Sequence, residues 1–215
     1  MIINIVGGGP RAYIPPLREY DEGQTRWIGV DGGTAVLLEN SIMPDAAFGD
    51  FDSVTKEELA EFEAAIPDLK KYKPEKDETD MELALSWAIG QKPDIIRIFG
   101  ATGGRIDHFL ANIQLLEKYA LEKQPCEIIL IDCLNSVSMK VPGLYQIEKE
   151  SGKKYISFLP GSQNVEGLTL HGFKYPLENR YVPKGSTLCV SNELIEETGT
   201  FSFSEGILIV IRSND

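Results

Sequence analysis

Asp31 opens an Asp31-Gly32-Gly33 triplet. Asp50 and Asp52 stand two apart in Gly49-Asp50-Phe51-Asp52-Ser53. Asp77 and Asp80 bracket Thr79, and Arg105 closes Gly100-Ala101-Thr102-Gly103-Gly104-Arg105. On an extended backbone Asp50 and Asp52 point to one side. Two like charges about 4 Å apart repel by roughly 4 kcal/mol at an effective dielectric of about 20. A cluster of such acids at one edge therefore calls for a cation among them. Hard oxygen ligands select Mg²⁺, which keeps several waters and combines a few carboxylates with substrate phosphates. Glycines supply the complementary half of that chemistry. They let backbone N–H groups approach a bulky anion, and N–H groups at a helix start favour phosphate. Gly8 and Gly9 of Gly7-Gly8-Gly9, with Thr102, Gly103 and Gly104 of the later loop, are the candidates for that side. Together the acids, the glycines and Arg105 describe a site for a nucleoside triphosphate with Mg²⁺.

Each piece alone has a plainer use. Asp-Gly-Gly is a turn, Gly49 to Ser53 is a loop with a helix cap, and Asp80 suits the positive end of a helix. The 100–105 loop lacks the Lys-Ser/Thr ending of a P-loop. His108 is a helix residue, Trp27 and Trp87 are core, and Glu57, Glu58, Glu61 and Glu63 form a solvated face. What favours chemistry is joint placement. Each of these glycine or aspartate groups follows a short apolar run, and in open α/β sheets ligands bind beyond the carboxyl ends of the strands.

Those runs are IINIV (2–6), WIGV (27–30), AAF (46–48), IIRIF (95–99) and EIILI (127–131). Their near-continuous apolar character suits strands covered on both faces. Helices alternate with them. Thr55-Lys56-Glu57-Glu58 and Thr79-Asp80-Met81-Glu82 are capping boxes, the first followed by Leu59, Phe62 and Ile66, the second by Met81, Leu85 and Ala88. From Arg105 to Lys123, the residues Ile106, Phe109, Leu110, Ile113 and Leu116 recur at helical spacing. The pattern predicts a mainly parallel α/β domain over 1–134. From residue 135 helices give way to short β-prone runs: SVSMKV, LYQIE, KYISFL, LTLHGF, STLCVS, TFSFS and ILIVI, parted by Gly, Pro and Asn. That predicts an antiparallel β-sandwich over 135–215.

The net charge of −12 argues against nucleic-acid and anionic-membrane partners, which require a basic surface. No apolar run is long enough to span a bilayer as a helix. IINIV begins without a basic leader, so no signal peptide is expected. Three cysteines, at 126, 133 and 189, show no metal-ligand spacing and read as free thiols of a cytoplasmic protein.

Asp-Gly-Gly (31–33), GDFDS (49–53), KDETDMELAL (76–85) and GATGGRIDHFLAN (100–112), in this order, resemble the thiamine pyrophosphokinase family in its bacterial form, and GLTLHGFKYPL (167–177) with VSNE (190–193) resembles its thiamine-binding β-domain. The resemblance implies a homodimeric transferase that moves a diphosphate from ATP to the hydroxyl of thiamine, releasing AMP, with Mg²⁺. Thiamine is expected between the α/β domain of one subunit and the β-domain of the other. Asp50, Asp52 and Asp80 match the metal-binding acids, and Asp31 the acid beside metal and substrate. Asp77 and Thr79 match the nucleotide loop, Arg105 and Asp107 a pair near phosphates and substrate, and Ser191 and Asn192 the serine-asparagine pair at the thiamine pyrimidine. An aromatic face is expected against a cationic ring, and Phe201, Phe203 and Tyr175 are the candidates. Two other readings stay open: a different Mg-dependent phosphotransferase or nucleotidyltransferase, and a non-catalytic nucleotide or thiamine sensor.

Overall fold

The computed structural model describes residues 1–50, 62, 66, 68–71 and 77–215. The chain divides into two compact units, Met1–Leu115 with Pro125–Cys133, and Leu116–Gln124 with Leu134–Asp215.

In the first unit β1 (Ile2–Val6), β2 (Thr25–Val30), β3 (Ala46–Gly49), β4 (Asp68–Lys71), β5 (Ile95–Phe99) and β6 (Glu127–Ile131) run parallel. Their order is β4-β3-β2-β1-β5-β6. The direction of winding therefore reverses between β1 and β5, the position at which doubly wound sheets open a crevice. The helices are α1 (Gly32–Glu39), α2 (Asp80–Gly90) and α3 (Ile106–Leu121), whose residues from Leu116 on belong to the second unit. Thr79 caps α2, its hydroxyl accepting from the Glu82 N–H at 3.1 Å, and Met81, Ala84, Leu85 and Ala88 form the buried stripe. Val6, Leu17, Trp27, Val36, Leu37, Ile42, Phe99 and Ile131 close into one core cluster. Trp87 is only half-buried, between the Phe48 ring and the Arg26 guanidinium.

Three features depart from the sequence expectation here. α1 was not foreseen, because two leading glycines disguise its start. β4 was not foreseen either. It carries Asp68, Lys70 and Lys71 around a single Leu69, a composition suited to the outermost strand of the order, where charge discourages further pairing. On α3 the buried stripe is Asn112, Leu115, Leu116 and Tyr119, whereas Ile106 and Leu110 are 73% and 52% exposed. The face is rotated from the expected one because it includes a polar residue: Asn112 donates its side-chain N–H to the Ala101 carbonyl at 3.4 Å. The 55–58 capping box and Leu59 lie outside the described residues. Phe62 and Ile66 are described, and both pack on Ala47.

The second unit holds β7 (Asn135–Lys140), β8 (Gly143–Glu148), β9 (Tyr155–Pro160), β10 (Asn164–His171), β11 (Leu177–Pro183), β12 (Thr198–Phe203) and β13 (Leu208–Ser213). β13 pairs antiparallel with both β7 and β9, and a four-stranded sheet runs β11-β10-β12-β8. Ile156, Phe158, Leu208 and Val210 from the first group pack with Ile147, Val165, Leu168, Leu170, Val182, Phe201 and Phe203 from the second, so this is a sandwich around one core. Phe201 and Phe203 are core residues, which removes them as candidates for a ligand-facing ring. The run STLCVS is not a strand. Residues 188–191 form a turn, and Ser191 takes a left-handed φ of 58° that no strand accommodates. Cys189 lies buried in that turn, and burial pushes its thiol up to about 11, away from reactivity. β11, with Glu178 and Arg180 exposed, had no apolar alternation to reveal it. Among the described residues no helix is long and apolar enough to cross a membrane.

Candidate active site

The loops that leave β1, β2, β3 and β5 meet at the carboxyl edge of the parallel sheet, and their glycines are what allow it. A methyl group on Gly33 would lie 1.8 Å from the Val6 carbonyl oxygen, and one on Gly9 would lie 2.5 Å from that of Gly100. Gly8 packs on the Gly32 nitrogen, and Gly9 donates its N–H to the Gly100 carbonyl at 2.9 Å. No side chain fits at these contacts, so backbone lies on backbone around the reversal point. The N–H groups of Thr102, Gly103 and Gly104 have no acceptor among the described residues. Such a run of N–H groups is an anion-binding concavity. Gly103 sits at φ 75° against the ring of Tyr13.

The acids arrive at the same edge. Asp31 follows β2 with φ 48° and ψ −124°, a conformation that costs an aspartate about 1–3 kcal/mol. It is held there by its own backbone, the N–H donating to Phe48 (2.9 Å) and the carbonyl accepting from Thr34 (3.0 Å). Its carboxylate does not cap α1. Instead it lies over Gly49, where a methyl group would come within 2.3 Å of the oxygen Oδ1, next to Asp50. Asp80 occupies the first turn of α2, and the adjacent Met81 reaches Gly7, which brings this turn to the loop after β1. Asp50 and Asp80 are half-buried. Asp52 lies outside the described residues. Among the described residues no three His, Cys, Asp or Glu side chains close into a metal-holding group. The donors at this edge are all carboxylates, a set that fits a hard divalent cation. Asp77 is exposed just before α2, and the Thr79 hydroxyl is engaged in the cap.

Arg105 and Asp107 form a two-point ion pair, Nε to Oδ1 at 3.1 Å and Nη2 to Oδ2 at 2.5 Å. The Arg105 hydrogen bonds, helped by the His108 N–H, pull the Asp107 carboxyl down to about 2 and push the guanidinium up. Both groups are solvent-exposed.

In the second unit Asn192 is 1% exposed. Its Oδ1 accepts from the N–H groups of Tyr175 and Glu193, each at 3.0 Å, and its Nδ2 donates to the Tyr175 carbonyl at 2.9 Å. The asparagine therefore binds two chain segments together, with one amide hydrogen left over. Ser191 beside it is exposed in its left-handed conformation, its N–H donating to the Ser157 hydroxyl at 2.9 Å. Of the three aromatic candidates Tyr175, clamped by Asn192, is the exposed one at 57%, and the Lys174 Nζ lies 5.6 Å from its ring centroid.

Sequence reasoning missed Asp132, the buried acid after β6, whose Oδ2 accepts the Thr102 hydroxyl at 2.8 Å. The strand-end rule that selected Asp31 and Asp50 would have found it, had it been applied to the fifth apolar run.

Comparison with known proteins identifies the family. Residues 17–130 match the family described as thiamin pyrophosphokinase, catalytic domain, and residues 144–208 the thiamin pyrophosphokinase vitamin B1 binding domain. The sequence is 57% identical over 213 residues to thiamine pyrophosphokinase of Bacillus subtilis (strain 168), covering 99% of each chain. The crystal structure of thiamine pyrophosphokinase from Bacillus subtilis superposes with a TM-score of 0.93 at 56% identity over 100% of both chains. That of the Geobacillus thermodenitrificans protein superposes with 0.91 at 52%, covering 100% of this chain and 98% of that one. With both family domains matched in order and full-length identity above one half, the chain belongs to the thiamin pyrophosphokinase family of enzymes.

Proposed function

We propose that this enzyme transfers a diphosphate group from ATP to the hydroxyl of thiamine, yielding thiamine diphosphate and AMP, and requires Mg²⁺. The observation that carries the reading is the convergence of unpaired backbone N–H groups and carboxylates at the reversal point of the sheet. In the reaction the thiamine hydroxyl oxygen bonds to the β-phosphorus, the bond from that phosphorus to the α–β bridging oxygen breaks, and AMP departs with the bridging oxygen. The hydroxyl proton is lost. Such a transfer asks a protein mainly for alignment and charge neutralisation.

In this reading residues 1–134 form the catalytic domain and 135–215 the thiamine-binding domain. The backbone N–H groups of Thr102, Gly103 and Gly104 cradle the phosphates, Gly8 and Gly9 let the loop after β1 close against them, and Asp77 and Thr79 shape the nucleotide loop. Arg105 adds a fixed positive fork, oriented by Asp107. Asp50, Asp52 and Asp80 would hold Mg²⁺, which when bound neutralises phosphate charge. Asp107, held at about 2 by Arg105, is ill suited to accept a proton, which leaves Asp31, strained and lying over Gly49, to face the substrate hydroxyl. Ser191, held through its N–H by Ser157, and Tyr175, held by Asn192, present a hydroxyl and a ring to thiamine. A homodimer belongs to the same proposal. It is supported by Ile106 and Leu110, one turn apart and exposed beside Arg105 and Asp107. A cytoplasmic location is supported by three cysteines without a disulfide.

Incubation with ATP, Mg²⁺ and thiamine, followed by mass spectrometry, tests the reading. AMP and thiamine diphosphate in equal amounts are expected. ADP with thiamine monophosphate would overturn it in favour of a single-phosphate kinase.

A further inference from the structure

β6 also ends in a carboxylate, and it serves a different purpose from those of Asp31 and Asp50. Asp132 is 4% exposed and accepts the Thr102 hydroxyl at 2.8 Å. The next residue, Cys133, donates its N–H to the Tyr13 carbonyl at 3.0 Å. The Tyr13 ring packs in turn on Gly103, where a methyl group would lie 2.3 Å from a ring carbon. On the other side Gly9 donates to the Gly100 carbonyl. The 100–105 loop is thus gripped by three elements outside it: the end of β6, the short 3-10 turn Arg11–Tyr13 and the loop after β1.

A threonine hydroxyl has a single hydrogen to donate, and an ionised carboxylate only accepts. The Thr102 hydrogen is directed at Asp132, so it is not available to a phosphate oxygen. The hydroxyl's remaining lone pairs would face such an oxygen with like charge. The groups of this residue suited to an anion are on the backbone.

We propose that Asp132 is a positioning residue: through the Thr102 hydroxyl it fixes the loop so that the backbone N–H groups of Thr102, Gly103 and Gly104 stand ready for the triphosphate. The inference rests on the ATP reading given above and adds to it a residue that never touches the substrate. A buried hydrogen bond to a carboxylate resists loosening, because either partner left alone in the interior is desolvated without compensation. The loop is then ordered before ATP arrives, and ATP does not bear the ordering cost.

Steady-state kinetics on Thr102→Val, Asp132→Ala and the double variant test this. Each single change is expected to raise KM for ATP about tenfold while leaving KM for thiamine near its starting value. The double variant should match either single one, because both break one shared contact. Restoring a hydroxyl with Thr102→Ser should bring KM for ATP back towards that of the unaltered chain. Asp132→Asn keeps an acceptor for the hydroxyl and should lose less than Asp132→Ala, which also guards against a variant that does not fold. Thr102→Val acting without any effect of Asp132→Ala would overturn the proposal, since the hydroxyl would then meet ATP directly. Additive effects, or equal rises in both KM values, would overturn it as well. Amide hydrogen exchange of residues 101–105, expected to quicken in both single variants, keeps the two hypotheses apart. Quickened exchange in a chain that makes no AMP would sink the ATP reading and leave the grip of Asp132 standing. Unchanged exchange in an active enzyme would do the reverse.

Discussion

The two units hold their candidate site residues by opposite means. At the carboxyl edge of the parallel sheet, Gly33 lies on Val6, Gly9 on Gly100 and Gly8 on Gly32, with no side chain between. In the sandwich one side chain does the joining, as the Asn192 amide links Tyr175 to Glu193 through three hydrogen bonds. The first arrangement is steric and tolerates no added carbon. The second is polar and tolerates no lost partner. The contrast follows from what each region presents. A phosphate is met by N–H groups that only bare backbone brings close, whereas a ring needs a side-chain surface held at a set height.

The largest expected effect comes from adding one carbon to the first region. Gly33→Ala places a methyl group inside the van der Waals radius of the Val6 carbonyl, and α1 must shift off β1. A loss of about 3 kcal/mol or more in urea unfolding is expected. Gly90→Ala is the control: nothing lies within 4 Å of the added methyl group. It should be neutral or stabilising by up to about 1 kcal/mol. Equal unfolding midpoints for the two variants would remove the steric account.

Removing a partner from the second region comes next. Asn192→Ala leaves two N–H groups and a carbonyl without their side-chain partner in a buried place, and about 2 kcal/mol should be lost in the same assay. Asn192→Asp keeps one acceptor oxygen but sets the other against the Tyr175 carbonyl in a buried place, so a loss at least as large is expected at a pH where the carboxylate is ionised. If the proposed substrate reading holds, both variants also raise KM for thiamine, because the Tyr175 ring loses its anchor. Full stability in Asn192→Ala would show that the segments are held by other contacts.

These two regions also differ in how plainly the chain announces them. Glycine is informative because its use is steric. Gly7, Gly9, Gly33 and Gly103 follow apolar runs, and the structure places them where a Cβ would collide. The strands themselves were legible wherever burial on both faces made them apolar, as in β1, β5 and β6. β4 and β11 were not, because polar and charged residues fill both, β4 at the outer end of its sheet order and β11 with most of its residues exposed. The α3 face was misjudged for a related reason. Asn112 is buried by its bond to Ala101, and counting apolar residues alone turned the stripe towards Ile106 and Leu110. Asn192 was picked out by its motif, yet nothing in its spacing shows that its amide is turned inward to the chain. Asp132 stands at a strand end as Asp31 does, but its partner Thr102 is seen only in the structure.

Arg105 and Asp107, like Thr102 and Asp132, depart from the backbone rule of the first unit: they are two side chains that hold each other at the 100–105 loop. They sharpen the comparison through the smallest expected effect. The pair is exposed, so water screens it and stability gains little. Asp107→Asn should therefore move the thermal midpoint by less than about 2 °C between pH 5 and 8. The pH dependence follows from the direction of the shift. Asp107 is depressed to about 2 in the folded chain, chiefly by the Arg105 hydrogen bonds, from an ordinary value of 3.8. A depressed carboxylate contributes fully above its unfolded value and loses that contribution as pH falls through the folded one. Across pH 5 to 8 the pair is thus fully ionised and constant. A carboxyl NMR titration should place the midpoint of Asp107 near 2 and move it up towards 3.8 in Arg105→Gln. Any fall in turnover between pH 8 and 5 then belongs to another group, because an acid this strong hardly accepts a proton in that window. A midpoint for Asp107 near 4 in the unaltered protein would mean that the guanidinium is turned away from it in solution, and the preset fork assigned to Arg105 would go with it.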